Sequence, residues 1–88
     1  MNGLVAIGHG ALENNGGLAY NGGFYNTAIG TKALNYNYEG SYNTAIGYHA
    51  LYSSHGDNNT ALGYNALQGN NIGDHNIAIG SGAMNGSL

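Results

Sequence analysis

The sequence predicts an all-β fold, a β-solenoid of about five coils, and three observations carry that expectation. One phrase, Gly-x-x-Asn-Thr-Ala-Ile-Gly-x-x-Ala-Leu, returns in altered copies along the whole chain. Its period is 16–17 residues, too short for two helices and suited to one turn of a coil. Gly and Asn are dense and apolar residues do not recur at helical spacing, so helices are disfavoured throughout.

The 88 residues form a single repeat domain, 1–88. Its cores align without gaps at residues 5–12, 27–34, 44–51, 60–67 and 77–84. The first reads Val5-Ala6-Ile7-Gly8-His9-Gly10-Ala11-Leu12, and the third Thr44-Ala45-Ile46-Gly47-Tyr48-His49-Ala50-Leu51. Gly30 to Gly47 is 17 residues, Gly47 to Gly63 is 16, and Gly63 to Gly80 is 17. Gly8 to Gly30 is 22, which marks residues 13–22 as a loop inserted at one corner of the coil. An Asn precedes four of the cores (Asn26, Asn43, Asn59, Asn76), and a Gly stands three residues before each Asn.

Within a repeat, Thr-Ala-Ile reads as a very short strand, with Thr and Ile on one face and Ala on the other. The following Gly turns the chain, because it takes positive φ without a Cβ clash. The Ala-Leu pair then begins a second short strand, and spacers such as 35–39 and 52–55 make the outer bend. Stacking the repeats produces columns. Ile7, Ile29, Ile46, Leu62 and Ile79 form one; Leu12, Leu34, Leu51, Leu67 and Met84 form another. These two are expected to meet inside as the roll core. Ala6, Ala28, Ala45, Ala61 and Ala78 have the opposite parity, so they are expected to face outward, at an interface between chains. The Asn column reads either as a hydrogen-bonded ladder or as local turn residues.

A chain this short buries a small fraction of its surface, and its large apolar residues are few, with one Phe and no Trp. Without Cys no disulfide compensates, which leaves association with further copies as the source of buried area. Lys32 is the single basic residue, against Glu13, Glu39, Asp57 and Asp74. Nucleic acid is therefore not an expected partner, since phosphate neutralisation needs Lys or Arg. The segment from Met1 to Val5 does not read as a secretory signal, and no apolar run is long enough to insert in a membrane.

No catalytic constellation stands out, and no cofactor or metal is expected. Ser41, Ser53, Ser54, Ser81 and Ser87 lack a nucleophile-elbow context. The Gly-rich stretches lack the strand-to-helix setting and the Lys of a phosphate loop. His9, His49, His55 and His75 read as loop residues, and Asp57 and Asp74 as turn formers. Tyr, with eight copies, is the most suggestive surface residue. Tyr48 and Tyr64 share a repeat position, Tyr48 and His49 form the variable pair after the corner, and Tyr36, Tyr38 and Tyr52 lie in spacers. Such rings can stabilise the coil by stacking, or hold a glycan or receptor, since Tyr joins an apolar body to a polar tip.

The Asn-Thr-Ala-Ile-Gly-x-x-Ala-Leu copies resemble the head repeats of YadA-like trimeric autotransporter adhesins, and similar arrays in phage and bacterial tail-fibre proteins. The resemblance covers nearly the whole chain, although the family repeat is usually shorter and carries Val where Thr27, Thr44 and Thr60 stand here. It implies a left-handed parallel β-roll, one coil per repeat, assembled as a parallel homotrimer. It also implies that the residues flanking the central Ala point into the roll. The function it implies is structural and adhesive, not enzymatic. Such a fibre module would be extracellular, on a bacterial cell surface or a phage virion, presenting a face to a cell-surface glycan or host receptor. The other expectation is a monomeric solenoid that binds an ordered ligand such as a polysaccharide or ice.

Overall fold

The computed structural model describes residues 3–16, 23–69 and 73–85. Residues 17–22 of the expected loop insertion, together with Tyr20 and Ser87, lie outside the described residues. Five strands form one sheet: β1 (Val5–Ile7), β2 (Thr27–Ile29), β3 (Thr44–Ile46), β4 (Thr60–Leu62) and β5 (Ile77–Ile79). They stack in chain order and every pairing is parallel. The register pairs Ala6 with Ala28, Ala28 with Ala45, Ala45 with Ala61, and Ala61 with Ala78. Each repeat is therefore one rung, and there is no helix among the described residues.

The backbone explains why each strand stops after three residues. The Gly that follows it has φ of 124–133° in all five rungs, a conformation closed to side-chain-bearing residues. At Gly47 a Cβ would also lie 2.7 Å from the carbonyl oxygen of Gly63 on the next rung. A turn follows, closed by Ala33 N–H donating to Gly30 C=O and Ala50 N–H to Gly47 C=O, both at 3.2 Å. The Leu that ends the turn is left-handed in every rung: Leu12, Leu34, Leu51 and Leu67 have φ of 49–53°, and Met84 has 53°. The expected second strand is thus replaced by a turn. Beyond it, among the described residues, the only bridge pairing is an isolated parallel one, Tyr36 with Ser53.

Burial inverts the expected faces of the strand. Ala28, Ala45 and Ala61 are fully buried and Ala78 is 3% exposed, so this column lines the interior of the coil and cannot contact another chain. Ala6 is exposed, at the edge of the sheet. Ile7, Leu62 and Ile79 are 58%, 42% and 68% exposed, and Ile29 and Ile46 are half-buried, so the Ile column faces out. Leu12, Leu34, Leu51 and Leu67 are buried, whereas Met84 is exposed. The parity argument separated Ala from Ile but put the larger side chain inside. A coil of 16–17 residues is too narrow for that: its interior already holds the Leu column, Ala33, Ala50 and Ala66, and a line of amides. Only a methyl fits opposite them at ordinary packing density.

The Asn column does form a ladder, and it runs from side chain to backbone. Asn26, Asn43 and Asn59 are fully buried. Asn43 Nδ2 donates to Gly56 C=O at 2.8 Å, and its Oδ1 accepts Asn59 N–H at 2.8 Å. Asn26 repeats this with Gly40 C=O and Asn43 N–H, and Asn59 with Gly73 C=O and Asn76 N–H. Each amide thus satisfies two main-chain groups of the next rung, which lets polar backbone be buried in so small a coil.

Candidate functional site

Two surfaces stand out. The first is the outer face of the sheet. Alternation along each strand brings Val5, Thr27, Thr44, Thr60 and Ile77 to the same side as Ile7, Ile29, Ile46, Leu62 and Ile79. No ionisable residue belongs to these ten positions. Val5 is 43% exposed and Ile77 is 70% exposed. Sequence reasoning missed this face because it assigned large apolar residues to the interior. The signal was present in Thr27, Thr44 and Thr60: a hydroxyl column on the Ile face would need buried partners if that face were the core.

The second surface is a run of aromatic rings over the turn and the outer bend. Tyr64 stacks on Tyr48 (centroids 5.5 Å apart, planes at 10°), and Tyr48 stacks on His49 at 4.0 Å. His49 stacks on Tyr52 at 4.5 Å, and Tyr52 meets Tyr36 edge-on at 5.3 Å. Tyr36 leads on to Tyr38, and Tyr38 meets His55 edge-on at 5.5 Å. All six expected surface residues (Tyr36, Tyr38, His49, Tyr48, Tyr52, Tyr64) therefore join one continuous cluster, with His55 as a member that the sequence did not flag. Tyr36, Tyr48 and Tyr64 are exposed, while Tyr38, Tyr52 and His49 are half-buried. A separate pair, Tyr25 and Tyr42, stacks at 5.2 Å.

Stacking decides what this cluster can offer. Where rings lie face to face along the rungs, their π-faces are occupied by one another. A ligand there meets ring edges and phenol hydroxyls, except at the outer face of Tyr64. His49 is the chemically distinct member. It lies between Tyr48 and Tyr52, its Nδ1 is 3.4 Å from Gln68 Nε2, and its Nε2 is shielded without a partner. Burial, and then the charge of Lys32, hold its pKa below the usual 6.5. Burial, and then the neighbouring Tyr36, hold the Tyr52 hydroxyl above its usual value.

Asp57 and Asp74 are used structurally. Asp74 Oδ1 accepts Asp57 N–H at 2.7 Å, Asp57 Oδ1 accepts Ser41 N–H at 2.9 Å, and Ser41 Oγ accepts Phe24 N–H at 3.2 Å. Among the described residues, no group of three or more His, Cys, Asp or Glu is gathered to hold a metal ion. No helix of the described residues is long and apolar enough to cross a membrane. Comparison with protein-family models, curated proteins and solved structures finds no match for this chain.

Proposed function

We propose that the chain is a non-catalytic structural and adhesive module: a left-handed parallel β-roll that assembles as a parallel homotrimer in an extracellular fibre of a bacterial cell or phage virion. The observation that carries this reading is the outer face of the sheet. It is uncharged, in register over five rungs, and exposes Val5, Ile7, Leu62, Ile77 and Ile79. Full burial of such a side chain contributes about 1.5–3 kcal/mol, and the part still exposed here is roughly half of that or a little more. A second copy is the occupant favoured by geometry, because parallel copies share one rung spacing and their columns stay level along the whole rod. The interface thus moves from the Ala column to the Val/Thr and Ile columns.

Such packing leaves the aromatic cluster of Tyr36, Tyr38, Tyr48, His49, Tyr52 and Tyr64 as the recognition surface. Three copies on one rod supply avidity towards a repeated glycan or receptor. Sedimentation equilibrium tests the assembly. The wild type should weigh three chains and Ile46→Lys should weigh one, with unchanged far-UV spectra. A wild-type monomer at micromolar concentration would overturn the trimer.

One observation favours a second reading. Thr27, Thr44 and Thr60 face outward in a regular column on a parallel sheet, an arrangement that suits an ordered ligand such as ice or a polysaccharide. That reading needs the face to be free. A monomer that shows thermal hysteresis would establish it over the trimer.

A further inference from the structure

The two edges of the sheet are complementary to each other, and we propose that copies of this chain stack head to tail, β5 of one copy pairing in parallel with β1 of the next. This contact is axial and uses backbone edges, so it stands apart from the lateral interface proposed above.

The rung-to-rung hydrogen bonds show the complementarity. Four kinds of main-chain bond recur at every internal step. Thr27 N–H donates to Asn43 C=O, and the same bond recurs from Val5 to Asn26, Thr44 to Asn59 and Thr60 to Asn76, at 2.8–3.0 Å. Gly30 N–H donates back to Ile7 C=O, as Gly47 does to Ile29, Gly63 to Ile46 and Gly80 to Leu62, at 2.7–2.8 Å. Lys32 N–H donates to His9 C=O, and Leu12 N–H to Ala33 C=O, each with three further copies.

Carrying the register one step beyond β5 leads to β1. Of the four kinds of bond just described, Ile77 N–H and Met84 N–H are the donors, and Ile79 C=O and Ser81 C=O the acceptors, that have no following rung among the described residues. The head edge offers the converse set: Leu4 and Ala11 carbonyls, and Gly8 and Gly10 N–H groups. Each tail group meets its counterpart in the same column. The side-chain ladder changes form at the last rung, where Asn76 Nδ2 turns back to Asn59 Oδ1 at 3.2 Å, so the match between the edges rests on the main chain. Side chains at the edges match this picture. Ala6 is the exposed member of an otherwise buried column, and Met84 is the exposed member of the Leu column. Unpaired parallel edges of one register are templates for one another.

His9 and Ser81 share a column, are both exposed and sit on the first and last rungs. Within one copy they are four rungs apart, roughly 19 Å at about 4.8 Å per rung. Across a head-to-tail junction they are one rung apart, within the roughly 4.4–6.8 Å that a disulfide spans between Cα atoms. The chain has no native Cys, so the double variant His9→Cys/Ser81→Cys, oxidised under native conditions, reports the junction directly. The expected result is a covalent ladder of many chains on non-reducing gels. A single closed dimer, or no cross-link, would overturn the proposal. Ile77→Pro removes a donor of the free edge at the first residue of a strand, where Pro is tolerated. In the same double-Cys background it should abolish the ladder while circular dichroism stays unchanged; a persisting ladder would also overturn the junction. Ile46→Lys, which targets the lateral face, should leave the ladder intact even where it dissolves the trimer.

Discussion

At the residue scale, the chain concentrates its conformational cost at three left-handed positions per rung. One column holds Gly10, Lys32, His49, Asn65 and Gly82, and the non-glycine members have φ of 56–59°. A side chain in that region costs roughly 1–2 kcal/mol, and glycine recovers part of this against its own chain entropy. Lys32→Gly is therefore expected to stabilise the fold by up to about 1 kcal/mol, read as a higher urea midpoint at unchanged slope. His49 in the same column supplies a pH dependence. Its folded-state pKa lies below the ordinary 6.5, so the unfolded chain takes up the proton first. Stability is fully present above that ordinary value and is lost as pH falls from it through the lower folded value. His49→Asn keeps a residue that the column already accepts at Asn65, and it should remove this part of the acid loss in paired denaturation curves.

At the element scale, the strand is a methyl pointing in and two larger groups pointing out. Ala45→Leu should unfold the coil or cost several kcal/mol, because overpacking meets a filled interior. Ile46→Lys should leave the melting of the isolated coil nearly unchanged. Chemical denaturation of the two variants side by side checks the inversion. Asn43→Ala removes a donor to Gly56 and an acceptor for Asn59, leaving two buried backbone groups unpaired. Its cost should be about 2–6 kcal/mol, at about 1–3 kcal/mol for each orphaned group. Much of this architecture was legible in the sequence. The register was, because Gly8, Gly30, Gly47, Gly63 and Gly80 mark each corner, and alternation placed Ala opposite Ile. Which side was interior was only faintly legible, in the Thr27, Thr44 and Thr60 hydroxyls, since hydrophobicity ranks Ile above Ala while the width of the coil depends on the left-handed turn at Leu34 and its equivalents. The Tyr48–His49–Tyr52 stack was half legible. The shared position of Tyr48 and Tyr64 predicted a ladder, but the bend that folds Tyr36, Tyr38 and His55 onto it follows no repeat.

At the scale of the whole molecule, the chain is quasi-one-dimensional, and each rung touches only its neighbours. Deleting residues 44–59 joins Asn43 to Thr60 in the register the other rungs use. The product should remain folded and be shorter by one rung, about 4.8 Å, in solution scattering. The same geometry sets how the molecule answers to force. Its strand-to-strand bonds, and the amides of Asn26, Asn43 and Asn59, lie along the stacking direction. A pull on the two ends of one chain therefore loads a single junction at a time instead of shearing all of them together. Each junction that parts pays out a rung of 16–17 residues, roughly 55 Å of contour, and the first, with its inserted loop, pays out 22. The coil is thereby a series of small mechanical fuses, extending in near-equal steps after one longer one and re-forming rung upon rung when the load is released.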